Sequence, residues 1–174
     1  MSPKKLSLNI FLVGFMGAGK SAVGKALSGR LGMDFVELDE DAEREEGISI
    51  SEIFAGRGEE YFRELESKVL SSRSKGRSQV ISTGGGAVLS ESNREVMKKH
   101  GVTIYLKATA DVLWERVKHN TNRPLLQVDK PLERLRELLG SREVFYEQAD
   151  IVVDTEGLSP ERVAEEIIRR LDDV

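Results

Sequence analysis

The stretch GFMGAGKS, residues 14–21, constrains this chain more than any other feature of it. Gly14, Gly19, Lys20 and Ser21 meet the spacing G-x-x-x-x-G-K-[ST]. In that loop, backbone N–H groups cradle phosphates, the lysine reaches the β- and γ-phosphates and the hydroxyl ligates Mg²⁺. Glycine supplies positive φ and lets N–H groups approach a ligand with no Cβ in the way. Such groups at a helix N-terminus make an anion site. The motif requires a strand before it and a helix after it, and both are legible. LSLNIFLV, residues 6–13, is an apolar run of the length of a buried parallel strand. KSAVGKALSGRL, residues 20–31, puts Val23, Leu27 and Leu31 on one helical face.

Further strand signals follow with helical stretches between them: DFVEL (34–38), QVIST (79–83), VTIYL (102–106) and DIVVD (150–154). This alternation predicts an α/β fold, a parallel sheet with helices on both faces. Helix starts are marked by Ser49 with Glu52 as a capping box, and by Ser90, Thr109 and Ser159-Pro160; Gly101 closes one helix. At 174 residues, with no internal repeat, low-complexity tract or Pro/Gly linker, the chain reads as a single domain over 1–174.

Composition removes several classes of function. A formal charge of −4, without a basic face, argues against nucleic acid. No cysteine is present, so disulfides, thiolate metal sites and thiol nucleophiles are out, which suits a reducing cytoplasm. No segment approaches the ~18 apolar residues of a membrane span. Lys4 and Lys5 ahead of the apolar run imitate a secretory leader, but cleavage there would delete the phosphate loop and Asn9 interrupts the run. The expectation is a cytoplasmic protein with a small anionic partner.

Open parallel sheets bind ligands at the carboxyl ends of their strands. The second strand ends in ELDED, with Glu37 and Asp39 at its tip; the third ends in TGGGAV, with Gly84, Gly85 and Gly86. An acid beside a phosphate loop can hold metal-bound water or take a proton from an attacking hydroxyl. Asp39 also suits a helix N-cap. Three successive glycines point to close approach of backbone to a ligand. Arg63, Arg123 and Arg142 stand singly near glycine- or proline-containing loops.

The motif GFMGAGKS, the acids of ELDED, EEYFRELE (59–66), GGGAV (84–88), NRPLL (122–126) and SREVFYEQAD (141–150) together resemble the shikimate kinase family, in order and spacing, over nearly the whole chain. The resemblance implies a nucleoside-monophosphate-kinase-like fold, with five parallel strands in the order 2-3-1-4-5. It also implies transfer of the ATP γ-phosphoryl to the 3-hydroxyl of shikimate, with Mg²⁺, by a monomer. Residues 17–22, that is Gly17, Ala18, Gly19, Lys20, Ser21 and Ala22, would bind ATP, with Arg116 on the adenine and Arg123 over the phosphates. Asp39 would hold the shikimate hydroxyls, Arg63 and Arg142 its carboxylate, and Gly84 to Gly86 would close the pocket. Asp39, Lys20 and Arg123 would carry catalysis. The substrate-binding region would cover 34–65 and a lid 119–130. Glu66, three residues after Arg63, would orient that arginine.

The chain departs from the family pattern twice. Glu37 replaces the usual aspartate that contacts Mg²⁺ through water, and Ala22 replaces the usual threonine. Two alternatives stay open: a gluconate kinase, whose acceptor also carries a carboxylate and hydroxyls, and a nucleotide kinase. A GTP-driven switch would need N-K-x-D and D-x-x-G, which are missing. His100 and His119 read as surface residues, Trp114 as packing, and EDAEREE (40–46) as a solvated helix face.

Overall fold

The structure, a computed structural model, describes residues 7–173. Leu6, the first residue of the expected strand, lies outside them, as do Lys4 and Lys5. The first strand, β1, is Asn9–Val13, with all five residues buried. It is followed by α1 (Lys20–Leu31), β2 (Asp34–Glu37), α2 (Leu38–Glu46), α3 (Ile50–Ser74) and β3 (Gln79–Ser82). The second half comprises α4 (Glu91–His100), β4 (Gly101–Lys107), α5 (Ala110–Val117), α6 (Pro131–Tyr146), β5 (Ile151–Asp154) and α7 (Pro160–Leu171). All pairings are parallel and the strand order is β2-β3-β1-β4-β5, as the family resemblance implies.

Central β1 pairs with β3 through Ile10↔Val80 to Leu12↔Ser82, and with β4 through Asn9↔Gly101 to Val13↔Tyr105. Strands buried on both faces need continuous apolar sequence, which NIFLV and VIS supply. Helix α1 packs against α7, and α3 against α4, flanking the sheet. The expected caps form at Ser49 with Glu52, Ser90 and Ser159. At Thr109 the side chain does not cap; its backbone N–H is taken by Glu156 Oε1 at 2.8 Å.

Two boundaries differ from expectation with consequences for the site. Strand β2 stops at Glu37 and α2 begins at once with Leu38, so Asp39 lies inside the first turn and cannot be its N-cap. Helix α3 breaks at Gly58, whose φ of 84° and ψ of 172° are not helical, so its first two turns leave the sheet at an angle to the rest. The segment between α5 and α6 contains a single 3₁₀ turn, Pro124–Leu126, with Leu125 and Leu126 packed on the core.

Asn9 is a buried polar residue in an otherwise apolar strand. Its Nδ2 donates to Ser74 O (3.1 Å) and Gly76 O (2.9 Å), and its Oδ1 accepts from Gln79 N (3.2 Å). It thus ties the end of α3 and the start of β3 to β1. Asn9→Leu strands these three backbone groups and is expected to destabilise by about 2–3 kcal/mol. Tm should fall by roughly 5–10 °C in a thermal melt; an unchanged Tm would show that the turn finds other partners.

Candidate active site

The phosphate loop follows from the end of β1. The chain leaves the sheet at Val13 and must turn into α1, and it does so with Gly14, Gly17 and Gly19 at φ 152°, 82° and 92°, which side chains other than glycine rarely adopt. A Cβ on Gly17 would also stand 2.7 Å from Val117 Cγ1. The loop closes on itself through Ala18 N donating to Phe15 O at 3.1 Å. Helix α1 has no side-chain cap and no acidic residue in its first turn, so its first N–H groups keep their positive potential for an anion.

Lys20 folds back over this loop, its Nζ donating to Gly14 O (2.6 Å) and Phe15 O (3.0 Å). Burial lowers its pKa to about 8, against the opposing pull of Asp39 and Glu37 and with help from Arg123 and Arg142. Arg116, on α5, donates from Nη1 to Gly17 O at 3.0 Å and so flanks the loop. Ala22 is exposed in the first turn of α1. Ser21 donates its hydroxyl to the Glu37 carboxylate, joining two oxygen donors of the kind hard divalent ions select. Burial raises the Glu37 pKa, opposed by that hydrogen bond. Among the described residues no cluster of three acidic, His or Cys side chains could hold a metal by itself, so an ion at Ser21 would draw most of its ligands from phosphate and water.

Beside the loop opens a cavity of about 410 Å³ that brings together Asp39, Arg63, Glu66, Arg123 and Arg142 over the Gly84–Gly86 turn. Asp39 and Glu66 both have raised pKa values, chiefly through burial; Lys20, Arg123 and Arg63 pull Asp39 down, and Arg63 pulls Glu66 down. Arg63 is already paired, its Nη1 to Glu66 Oε1 at 2.9 Å and its Nη2 to Glu59 Oε1 at 3.3 Å. Glu66 is 3 % exposed, and its second oxygen has no hydrogen-bond partner. Arg142 is different: it is 2 % exposed, has no ion-pair partner among the described residues, and rests with its guanidinium 5.5 Å from the Phe15 ring. Arg123 buries an Nε without a partner.

Two of the three glycines have a reason besides the expected one. A Cβ on Gly84 would stand 2.2 Å from Glu66 Oε2 and 3.2 Å from Asp39 Oδ1, and one on Gly86 would stand 2.4 Å from the Arg63 guanidinium. These positions are glycine so that the protein's own charged side chains can reach the cavity. Only Gly85 faces the loop, its would-be Cβ 3.4 Å from Met16 N and 3.5 Å from Arg142 Nη1. Tyr146, stacked on Tyr105 with ring centroids 5.0 Å apart, donates its hydroxyl to Gly85 O and holds the turn.

The cavity is also lined by residues to which the sequence gave no binding role of their own, although they fall in the expected substrate region and lid: Glu43, Ser49, Phe54 and Phe62, with Asn120 and Asn122. EDAEREE is therefore not a fully solvated face. Ala42 is buried, Asp41 bonds Arg73 Nε at 2.5 Å and Arg44 at 2.8 Å, and Glu43 turns inward. The periodicity of Leu38, Ala42 and Glu46 carried that signal. His119 is exposed, His100 is half-buried, and Trp114 packs on the core.

The sequence profile described as "Shikimate kinase" matches residues 16–172. The chain belongs to the shikimate kinase family. One relative, the shikimate kinase of Thermodesulfovibrio yellowstonii, is 51 % identical over 161 residues, which cover 92 % of this chain and 93 % of the relative. Among solved structures, shikimate kinase from Acinetobacter baumannii in complex with shikimate superposes with a TM-score of 0.95 at 36 % identity, over 97 % of this chain and 95 % of that one. The Aquifex aeolicus family member gives 0.84 at 40 % identity, over 95 % and 96 %.

The lowered pKa of Lys20 has a consequence for nucleotide binding. Above about pH 8 the free amine predominates, while phosphate oxygens favour the ammonium, so binding must take up a proton there. Affinity for ATP should fall about tenfold per pH unit above 8 until the pKa of the complex is reached. Calorimetry at pH 9 in two buffers of different ionisation enthalpy measures the uptake; a buffer-independent heat would contradict it.

Proposed function

We propose that this family member transfers the γ-phosphoryl group of ATP to the 3-hydroxyl of shikimate, giving shikimate 3-phosphate and ADP. The observation that carries this reading is the buried Arg142, which makes no ion pair among the described residues and lines, with Asp39, a cavity that adjoins the phosphate loop. A small polyhydroxylated carboxylate fits that pattern: guanidinium at one end, carboxylate and backbone groups at the other. In this reading Arg142 takes the substrate carboxylate and Arg63, held in place by Glu66, adds a second guanidinium. Asp39 accepts a hydrogen bond from the attacking hydroxyl and orients it; its raised pKa makes it a better base than an exposed aspartate. Lys20 and Arg123 neutralise the phosphoryl oxygens, so catalysis is positioning plus charge stabilisation. Mg²⁺, when bound at Ser21 with Glu37 nearby, supplies further neutralisation of the β- and γ-oxygens. Residues 119–130 act as a lid that carries Arg123 over the phosphates and excludes water. In this reading the chain works as a single-domain monomer in the cytoplasm, where ATP is available.

A gluconate kinase would share the carboxylate and hydroxyls, so the acceptor has to be tested directly. ADP release measured across shikimate, quinate, gluconate and nucleoside monophosphates should be fastest by far with shikimate. A higher kcat/KM with gluconate or a nucleotide would overturn the assignment.

The two arginines of the cavity should respond in opposite ways. Arg142→Met removes a buried charge with no ion-pair partner among the described residues, so Tm should hold or rise while shikimate affinity falls by about 2–4 kcal/mol and ATP affinity stays. Arg63→Ala leaves Glu66 buried and unpaired, so it should destabilise by roughly 2–3 kcal/mol as well as weaken shikimate. Thermal melts with titrations of both ligands decide the point; equal Tm losses in the two variants would refute the distinction.

Asp39→Asn keeps shape but replaces an acceptor-only group by a weak base that can also present a donor. Because Leu38 already opens α2, capping is not at issue. The expected result is a kcat lower by about 10²- to 10⁴-fold, with ATP affinity retained and Tm within a few degrees, read by single-turnover phosphorylation and thermal melting. Near-normal turnover would remove Asp39 from the reaction.

A further inference from the structure

Glu37 stands at the N-cap position of α2, yet its side chain makes no cap. It accepts the hydroxyl of Ser21 instead, across the gap between β2 and the phosphate loop. Its register partner on β3, Ser82, buries a hydroxyl beside the same carboxylate that finds no partner at hydrogen-bond geometry. The carboxylate is therefore aimed at the metal-binding hydroxyl, with a donor in reserve behind it.

Distances decide what this arrangement does when Ser21 ligates a metal. Oxygens in adjacent positions of an octahedral shell with bonds of 2.0–2.1 Å stand about 3 Å apart, which is hydrogen-bond separation. A carboxylate oxygen already in contact with Ser21 Oγ is thus placed at the neighbouring coordination position once the hydroxyl proton turns aside. A bridging water would need about 2.7 Å more between carboxylate and ion. The methylene by which glutamate exceeds aspartate adds about 1.5 Å of reach and closes part of that gap. We infer that Glu37 ligates the nucleotide-bound divalent ion directly, beside Ser21, in place of one water that a shorter aspartate would leave bound. Ser82 then donates to the second carboxylate oxygen and holds its orientation, the role outer hydrogen bonds play around ligating carboxylates. The inference rests on the proposed metal role of Ser21, and not on the identity of the acceptor.

The test uses Mn²⁺ with ADP and no acceptor. Broadening of the Mn²⁺ electron paramagnetic resonance lines in ¹⁷O-enriched water counts the waters on the ion. The wild-type complex should hold one water fewer than Glu37→Asp, and Mn²⁺ should leave the Glu37→Asp complex with about tenfold weaker affinity, while metal-free ADP binds both proteins alike. Glu37→Gln, which keeps the length but not the charge, should show the same weakening and serves if the aspartate variant does not fold. Equal water counts in wild type and Glu37→Asp overturn direct ligation, whether or not affinity changes. A protein that keeps the direct contact but fails to phosphorylate shikimate would overturn the acceptor assignment and leave this inference standing.

Discussion

The structure depends on β1 being hydrogen-bonded in parallel on both sides and sealed from water along its whole length. A strand in that position has no freedom to bend inside the sheet, so the turn toward α1 must come entirely after Val13. Because β3 and β4 run in the same direction, their chains leave the sheet at the same edge, and so does β2 through its pairing with β3. The phosphate loop, the Glu37 to Asp39 corner and the Gly84–Gly86 turn therefore meet above one end of the sheet. None of these three segments has its own core; each is held by the strand from which it emerges.

Crowding charged groups at that edge produces the chemistry. Burial alone disfavours every ion there, raising Glu37, Asp39 and Glu66 and lowering Lys20. The opposite charges around them offset part of that penalty, and the offset is uneven. Arg63 is paired with Glu66 and Glu59, whereas Arg142 makes no ion pair among the described residues and feels Glu66 only at longer range, with the Phe15 ring beside it. A desolvated cation without an internal partner is costly to fold, and it is a strong site for a ligand that brings its own negative charge. The unevenness separates an arginine already held by carboxylates from one without an ion pair, and the proposed role of Arg142 follows from it.

The outer wall is built differently. Helix α2 and the first part of α3 are tied to the body by ion pairs such as Arg73 with Asp41 and Lys68 with Glu45, and by Tyr61 bridging Arg57 and Glu46. The break at Gly58 lets this wall lean over the cavity, where Phe54 packs against Phe62 at 5.0 Å between ring centroids. Leu38, Ala42 and Ile53 anchor the same wall in the core, so polar ties at the surface are backed by apolar packing beneath.

Sequence alone determined the layout. The G-x-x-x-x-G-K-S spacing, apolar runs of strand length and serine caps are local signals, since each depends on backbone geometry within a few residues, and they placed every strand to within three residues over the described chain. Asp39, Arg63, Arg123 and Arg142 were legible through their position at loops and through resemblance. Tertiary structure alone decided what faces what. That Gly84 and Gly86 make room for Glu66 and Arg63, that Arg63 is ion-paired while Arg142 is not, and that Glu37 reaches Ser21 all depend on distances between residues far apart in the chain. Such distances are fixed by how helices lean on the sheet and how side chains fill the space left over, and no periodicity or spacing in the sequence encodes them.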